Sequence, residues 1–505
     1  MRFPHLFTHR NCLAAISGIL TAVSFYNEKL SFAVFFSLIP LFKVLTEKIK
    51  LKYIFIYSVF YYSFSLVWLS NAVSKLTQNI LPKIILSLFL IVLVSFILSL
   101  ILTFPFLVYR YAFSSHRVRL ALFPFIYILG EWFQGNLIPV AFPWIRLGNI
   151  ASDFTVFIQS ASIFGTLFIS ALIIYINLLL TLILKSIKNR KCLAYSAILL
   201  VIVFSDLTFG LYNLKSDEKI FSEKKSVIIV QGNYPKDTKF RTSPDVMLKK
   251  YLTLLCSSQS GQTDLIIFPE TAIHSKIIKK DSYIRLMAEI CRKYDALMIF
   301  GSQYNNENKS YNACMTIDKN KILNTAYLKR VLVPIGEYNP MNIITGKYGS
   351  GDFSVGTECL LINSDDITIG TSICFESAFP DIVSESVRKG AEAIAVLTND
   401  SWLGRTIPLY QHHSHSVMRA VENSRYVLTS TNTGISSVID NHGKIMKKSI
   451  SNTEAVISEH FYANNNITTY TRIGDIIILP ACFYILYVTI KHVSGKIYKK
   501  IRKNT

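Results

Sequence analysis

Charged residues are scarce in this chain. They make up 17% of its 505 residues, against about a quarter in an ordinary soluble protein. Acids are scarcer still: 32 Asp and Glu face 53 Lys and Arg, for a formal net charge of +21. Low charge beside 51% hydrophobic residues excludes intrinsic disorder, which needs the opposite balance. With 21 Gly and 15 Pro, the collagen-like and low-complexity classes are excluded as well. The eight cysteines form no C-x-x-C pair, so zinc-ribbon and thioredoxin-like motifs are absent. No glycine cluster ends in G-K-[ST], so there is no phosphate loop of that kind. What the chain has in quantity is apolar and aromatic: 34 Phe, 27 Tyr and a mean hydropathy of +0.36. That balance points to a membrane protein.

Apolar runs fill residues 11–212, and one more lies at 473–490. Eight candidate spans follow: 11–26, 30–46, 52–70, 84–109, 119–136, 157–184, 192–212 and 473–490. A helix needs about 20 apolar residues to cross roughly 30 Å of hydrocarbon. The fourth run meets this plainly; the first two are short enough to be a tilted pair or a re-entrant hairpin. The first also follows Arg2 and Arg10 as a signal peptide would, but no small-residue cleavage site precedes a polar region, so it reads as a retained span.

The placement of the positive charge decides what it means. Alternate loops and both ends collect nineteen Lys and Arg, among them Lys48, Arg117, Lys188 and Lys500, against one acid, Glu47. The short loops on the other side hold only Lys29, Lys75, Lys83 and Arg146. The positive-inside rule makes the first set cytoplasmic. Both termini are then inside and the segment 213–472 outside. The charge encodes orientation and contact with anionic lipid, which argues against a nucleic-acid partner.

The outer segment is long enough to bury its own core. It alternates β-branched apolar runs with helical stretches. The runs are SVIIVQGN (226–233), DLIIFPE (264–270), ALMIFGSQ (296–303), ITIGTSICFE (367–376), AIAVLTND (393–400), YVLTSTNTG (426–434) and SSVID (436–440); the helices include 281–296 and 407–426. This pattern is an α/β domain with strands covered on both faces. The expected organisation is an N-terminal transmembrane domain at 1–212, an extracytoplasmic domain at 213–468, and a last helix with a basic tail at 469–505. Five cysteines lie in the outer part, an odd number, so in an oxidising compartment at least one thiol stays unpaired.

Several polar residues stand where these apolar runs end: Glu270 after IIFP, Cys374 and Glu376 after ITIGTSI, Asn399 and Asp400 after AIAVLT. Strand ends are common site positions in α/β folds. A cysteine flanked by such groups is a candidate nucleophile if a base and an oxyanion donor stand near it.

The segments FPETA (268–272), YLKRVLVPIGEY (327–338), GTSICFE (370–376), TNDSW (398–402) and TNTG (431–434) resemble the nitrilase, or carbon–nitrogen hydrolase, superfamily. With seven spans before that domain and one after, the full-length layout is similar to the apolipoprotein N-acyltransferase family. FPWIRLGN (142–149), QGNYP (231–235), the QH with R-A-x-E-x-x-R at 411–425, and YTRIGD (470–475) match it further. The resemblance implies an α-β-β-α sandwich and a triad: Glu270 as general base, Lys329 as oxyanion stabiliser and Cys374 as nucleophile. Glu337, Glu376 and Phe375 are implied as supporting residues. Phe240, Trp144, Trp402 and Asn399 are candidates for substrate contact. Phe375 follows the nucleophile where well-known members carry Tyr, and Phe240 stands where they carry Trp; both keep the ring and lose its polar handle.

The resemblance also implies a bacterial inner-membrane enzyme that needs no cofactor and no metal, with its catalytic domain in the periplasm and its termini in the cytoplasm. Cys374 takes the sn-1 acyl chain of a phospholipid such as phosphatidylethanolamine as a thioester. It then passes the chain to the α-amine of a diacylated apolipoprotein. A membrane-tethered amidase would use the same triad with water as acceptor. A transporter with an inert outer domain would need charges inside its spans, and the clearest runs have almost none. His412, His413 and His415 read as a polar helix face rather than a metal cluster. Glu131, Trp132 and Trp144 read as an aromatic belt with a cap. The glycines between Gly346 and Gly356 mark a flexible loop, which the resemblance implies as a lid.

Overall fold

The computed structural model describes residues 8–73, 79–109, 116–137, 141–216, 223–239, 241–257, 261–275, 277–306, 309–334, 336–338, 352–364, 366–404, 407–487, 490 and 494. The chain divides into two compact units. The first comprises Met1–Tyr212, Thr406–Gln411 and Asp475–Thr505; the second comprises Asn213–Arg405 and His412–Gly474.

The first unit is helical. Among the described residues three helices are long and apolar enough to cross a membrane: Ile80–Leu107, Thr166–Lys185 and Lys191–Lys215. Ile80–Leu107 carries apolar side chains all round, and Ile84, Ile85, Leu88, Phe89 and Val92 are exposed. Such a helix belongs against hydrocarbon, where its backbone groups satisfy one another. The other runs form shorter or broken helices. His9–Ser24 is continuous. The second run breaks at Leu38, where Ile39–Leu45 restarts with a proline in its first turn. The last is the apolar helix Ile476–Tyr487.

Polar groups inside this unit pair with one another. Gln134 Nε2 donates to the Tyr62 hydroxyl at 2.7 Å and to the Leu98 carbonyl at 2.9 Å. Trp68 and Trp144 donate their indole N–H groups to one acceptor, Gln411 Oε1, at 3.0 and 3.1 Å. Trp144 is therefore a buried, hydrogen-bonded residue and not part of an interfacial belt. Glu131 is fully buried too, and its Oε1 accepts the Leu147 N–H at 2.7 Å. The belt-and-cap reading fails for both. FPWIRLGN folds inward because its ring and backbone donors find buried acceptors.

The second unit is built from two six-stranded sheets. In chain order the strands are β1 Lys224–Gln231, β2 Leu265–Ile267, β3 Leu297–Asn306, β4 Lys309–Ile317, β5 Leu323–Leu328, β6 Ile362–Asn363, β7 Thr368–Ile373, β8 Ala393–Thr398, β9 Tyr426–Thr431, β10 Ser437–Ile439, β11 Ile445–Lys448 and β12 Ala455–Tyr462. One sheet runs β12-β1-β2-β3-β4-β5 and the other β11-β10-β9-β8-β7-β6. Each has a parallel centre, β1-β2-β3 or β7-β8-β9, followed by two antiparallel strands. The two halves thus share one topology, although the sequence shows no internal repeat.

Alternation along β1 explains the layering. Val227 and Ile229 turn to a core shared with Ile369, Ala395, Leu397 and Leu428 of the opposite sheet. Ile228 and Val230 turn outward to a second core, with Leu248, Tyr251 and Leu255 of helix Pro244–Ser257 and Met287 and Cys291 of helix Asp281–Tyr294. On the other outer face, helix Pro380–Arg388 comes so close to β7 that a Cβ on Gly370 would lie 2.6 Å from Ser386 Oγ. Helix Ile407–Asn423 meets β9 through Thr429 and Ser416. This is the α-β-β-α sandwich that the resemblance implies. Its cysteines Cys256, Cys291, Cys314, Cys359 and Cys374 are all unpaired, and all but Cys256 are buried.

Candidate active site

The parallel strands deliver the site from their C-terminal ends. β2 stops at Ile267, and Pro269 turns the chain so that Glu270 follows at once. The next residue, Thr271, is left-handed with φ 51°. This turn lies directly on β3, where a Cβ on Gly301 would stand 2.5 Å from Glu270 Cα. Only glycine permits that approach. Lys329 lies one residue past β5, and its backbone N–H donates to the Asn312 carbonyl of β4 at 2.8 Å. Cys374 follows β7 directly and opens the short 3-10 turn Cys374–Ala378. It is a non-glycine residue at φ 54°, a conformation that costs of order 1 kcal/mol or more and persists where the surroundings impose it.

Glu270, Lys329 and Glu337 form one buried ionic cluster. Lys329 Nζ lies 3.2 Å from Glu270 Oε1 and 2.8 Å from Glu337 Oε1. Asn312 Nδ2 donates to the same two oxygens, at 2.6 and 2.7 Å. Glu337 Oε2 accepts the Val333 N–H at 2.7 Å. Burial would lower the Lys329 ammonium, but the two carboxylates outweigh it and hold Lys329 well above its ordinary value. Burial and the Glu270 charge push the Cys374 thiol up, with Lys329 acting against them. The nucleophile therefore rests as a thiol, and its proton must leave as it attacks.

Glu376 does a different job. Its Oε1 accepts the Tyr327 hydroxyl at 2.9 Å and the Arg330 and Val331 N–H groups at 2.6 and 3.0 Å. Its Oε2 accepts the Ile373 N–H at 2.7 Å. One buried carboxylate thus ties the loop just after Lys329 to the residue just before Cys374. Burial raises its pKa, against these hydrogen bonds.

Three further residues join the site that the sequence reading did not place there. Asn312 bridges the two carboxylates. Lys239, fully buried by its neighbours, donates to the Glu270 carbonyl at 3.1 Å and to Thr271 Oγ1 at 2.7 Å. Burial pulls Lys239 down to about 8, against the charges of Glu270 and Cys374. His412 lies with Nδ1 2.7 Å from Asp400 Oδ1 and Nε2 3.1 Å from the Cys374 carbonyl. Burial would lower His412, but Asp400 outweighs it and the ring is raised. His412, His413 and His415 are all buried, so this polar face of the helix is turned inward. The helix has polar residues inside because carboxylates and hydroxyls face it there. QH was visible as a motif; nothing in the sequence ties Asn312 or Lys239 to Glu270.

The donor atoms of Cys374, Asp400 and His412 lie within 4.8 Å of one another, close enough to hold a metal ion. Both ring nitrogens already face oxygen partners, which an ion would have to displace. Of the remaining candidates, Asn399 Oδ1 accepts from Asn432 Nδ2 at 3.0 Å. Trp402 is half-buried on the 3-10 turn Asp400–Trp402. The Phe375 ring packs edge-on against Phe379 at 5.1 Å. Trp144 belongs to the first unit. Phe240 and residues 339–351, with most of the glycine loop, lie outside the described residues; Gly356 is described, and a Cβ there would stand 2.3 Å from the Leu328 carbonyl oxygen.

Glu270, Lys329 and Cys374 stand just past three strand ends of a two-sheet sandwich, and the model of the carbon–nitrogen hydrolase family matches residues 227–462. The model of the apolipoprotein N-acyltransferase N-terminal domain matches residues 17–179. An apolipoprotein N-acyltransferase of Geobacter metallireducens is 28% identical over 494 residues, 92% of this chain and 91% of that protein. One of Rickettsia bellii is 27% identical over 496 residues, 94% and 95% of the two chains. A carbon–nitrogen hydrolase superfamily protein of Xanthomonas campestris, solved by crystallography, is 20% identical over 47% of this chain and 91% of its own, with a TM-score of 0.37. The chain belongs to the apolipoprotein N-acyltransferase family, within the carbon–nitrogen hydrolase superfamily.

Proposed function

We propose that the chain moves the sn-1 acyl chain of a phospholipid, phosphatidylethanolamine among them, to the α-amine of the N-terminal diacylglyceryl-cysteine of an apolipoprotein. The observation that carries this reading is the buried Glu270–Lys329–Cys374 cluster, joined in one chain to helices apolar enough to cross a membrane. Glu270 takes the thiol proton as sulfur attacks the ester carbonyl. Lys329 has three ammonium protons and gives two to Glu270 and Glu337. The third, with the Phe375 N–H, meets the oxyanion; losing one such donor costs about 10²–10³ in rate. The C–S bond forms, the bond to the glycerol oxygen breaks, and Glu270 returns the proton to the leaving lysophospholipid. The amine then attacks the thioester. The C–N bond forms, C–S breaks, and Glu270 takes the amine proton and hands it to the departing Cys374 sulfur, which restores the thiol. Glu337 and Asn312 orient Lys329 and Glu270, and Glu376 fixes the loops that carry Lys329 and Cys374.

Intact mass tests this directly. After incubation with phosphatidylethanolamine of defined chains, the wild-type protein should gain one acyl mass and Cys374→Ala none. Addition of a diacylated lipopeptide should remove the adduct and acylate the peptide. Loss of the adduct to water, with the peptide unmodified, would favour a hydrolase. An equal adduct on Cys374→Ala would remove Cys374 as nucleophile.

The reading includes a topology: eight spans in the inner membrane, termini in the cytoplasm and the 213–468 segment in the periplasm, supported by the loop charges. Cys256 is the exposed cysteine among those described in the second unit. A membrane-impermeant maleimide added to spheroplasts should label it without detergent. Labelling only after lysis would reverse the orientation.

A further inference from the structure

We propose that the His412–Asp400 pair is a positioning device for the peptide between Cys374 and Phe375, holding its N–H toward the oxyanion. This rests on the acyl-transfer reading above. The argument starts from the Cys374 carbonyl. It accepts from Ser377 Oγ at 3.0 Å and lies 3.1 Å from His412 Nε2. The other ring nitrogen lies 2.7 Å from Asp400 Oδ1. Nε2 also lies 3.1 Å from Ser377 Oγ, but that hydroxyl gives its proton to the Cys374 carbonyl and so has only a lone pair for the ring. A carbonyl and a carboxylate can only accept, so a ring that serves both carries a proton on each nitrogen. The Asp400 charge favours that form.

A trans peptide sends its C=O and its N–H in opposite directions. Pinning the Cys374 carbonyl on the His412 side therefore fixes the Phe375 N–H on the other. Rotation of this peptide would lose both hydrogen bonds at the carbonyl and turn that oxygen toward the developing negative charge. The device is needed because Cys374 sits in the left-handed region at φ 54°, where the backbone has no intrinsic preference to stay. Asp400 is itself held. Thr398 Oγ1 donates to its Oδ1 at 3.2 Å. Its Oδ2 lies where a Cβ on Gly434 would be 2.0 Å away, so TNTG must carry glycine at that position.

The chemistry separates this role from its rivals. Acyl transfer from an ester develops an oxyanion; alkylation of the same thiol by iodoacetamide does not. Both rates at Cys374 would be measured on the full-length protein in detergent, by intact mass with phosphatidylethanolamine and by peptide mass after iodoacetamide. His412→Asn keeps a group toward Asp400 and loses the donor to the carbonyl. It is expected to slow acylation by about 10²–10³ while alkylation changes by less than about threefold. His412→Gln places an amide N–H where Nε2 was and is expected to recover about tenfold of that loss. Asp400→Asn keeps an acceptor and loses the charge, with an expected cost of about tenfold in acylation alone.

Acylation and alkylation falling together in folded His412→Asn would make His412 the base of the thiol and overturn the proposal. Unchanged acylation in both His412 variants would reduce the pair to packing and overturn it too. If His412→Asn does not fold, Asp400→Asn decides by the same ratio. A wild-type protein that alkylates but takes no acyl group overturns the acyl-transfer reading itself, and this inference with it.

Discussion

Lys329→Met is expected to abolish measurable acyl transfer and to cost more stability than almost any other single change in the second unit. Two losses combine. The oxyanion loses its cationic donor, worth about 10²–10³ in rate. The cluster loses a positive charge in direct contact with both Glu270 and Glu337. Removing one member of a buried ion pair costs about 3–5 kcal/mol, because the partner stays buried and uncompensated. Here two carboxylates are left sharing Asn312. Like charges that close cannot both stay ionised, so one should take up a proton near neutral pH.

The sign of the pH effect follows. In the variant, the folded state binds a proton that the unfolded state, with ordinary carboxyls, has released. Stability then falls as pH rises, and the deficit against wild type should shrink between about pH 7 and pH 5. Thermal unfolding in detergent at the two pH values checks it. A second change, Glu337→Gln, should return most of the lost stability to Lys329→Met and none of its activity. A deficit that does not move with pH, or a double variant as unstable as the single, would show that Lys329 acts by packing rather than charge.

Glu376→Ala is expected to leave no folded protein. It would strip the acceptor from three backbone N–H groups and one phenol, all engaged by this carboxylate. Each buried donor left unpaired costs about 1–3 kcal/mol, and the total approaches the whole stability of a domain, about 5–15 kcal/mol. Glu376→Gln keeps one carbonyl oxygen and sets an NH₂ among donors. It should fold with a lowered unfolding midpoint and a reduced kcat, because Arg330 and Ile373 flank Lys329 and Cys374. Protease resistance of membrane-extracted protein separates the two variants. A Glu376→Ala protein as resistant as wild type would show that water replaces the carboxylate.

The central parallel strands were legible because burial on both faces makes them continuous apolar runs: β1, β2, β3, β7, β8 and β9 all begin or end within a few residues of the runs read from sequence. Of the flanking strands only β10 was, as SSVID. β4, β5 and β12 mix polar and apolar residues because one face or one end meets solvent, and KSYNACMTI carries no signal that separates it from a loop. Glu270 and Cys374 stood out for the same reason that the strands did, as polar residues at abrupt ends of apolar runs; Lys329, which follows a strand that was not read, rested on the resemblance alone. Their partners did not stand out. Asn312 meets Lys329 only through the register of β4 on β5, which includes a bulge between Cys314 and Met315, and spacing along the chain does not encode that. His412 was visible as a histidine but not as a buried one. In the first unit, eight runs met the criterion of composition, yet only three described helices are long and unbroken enough to count by themselves. Proline at Pro40 and buried polar pairs such as Tyr62–Gln134 shorten or break the apolar pattern.

The left-handed backbone at Cys374 has a meaning beyond this reaction. Glycine would occupy that position with less strain, so selection for folding alone would drive cysteine out of it. A reactive side chain retained against that pressure records a trade between durability and use. Thr271, beside Glu270, stands in the same situation at φ 51°. The coincidence of a disfavoured conformation, a chemically able residue and the end of a buried parallel strand is therefore a criterion for finding reactive centres in a single chain, with no relatives to compare.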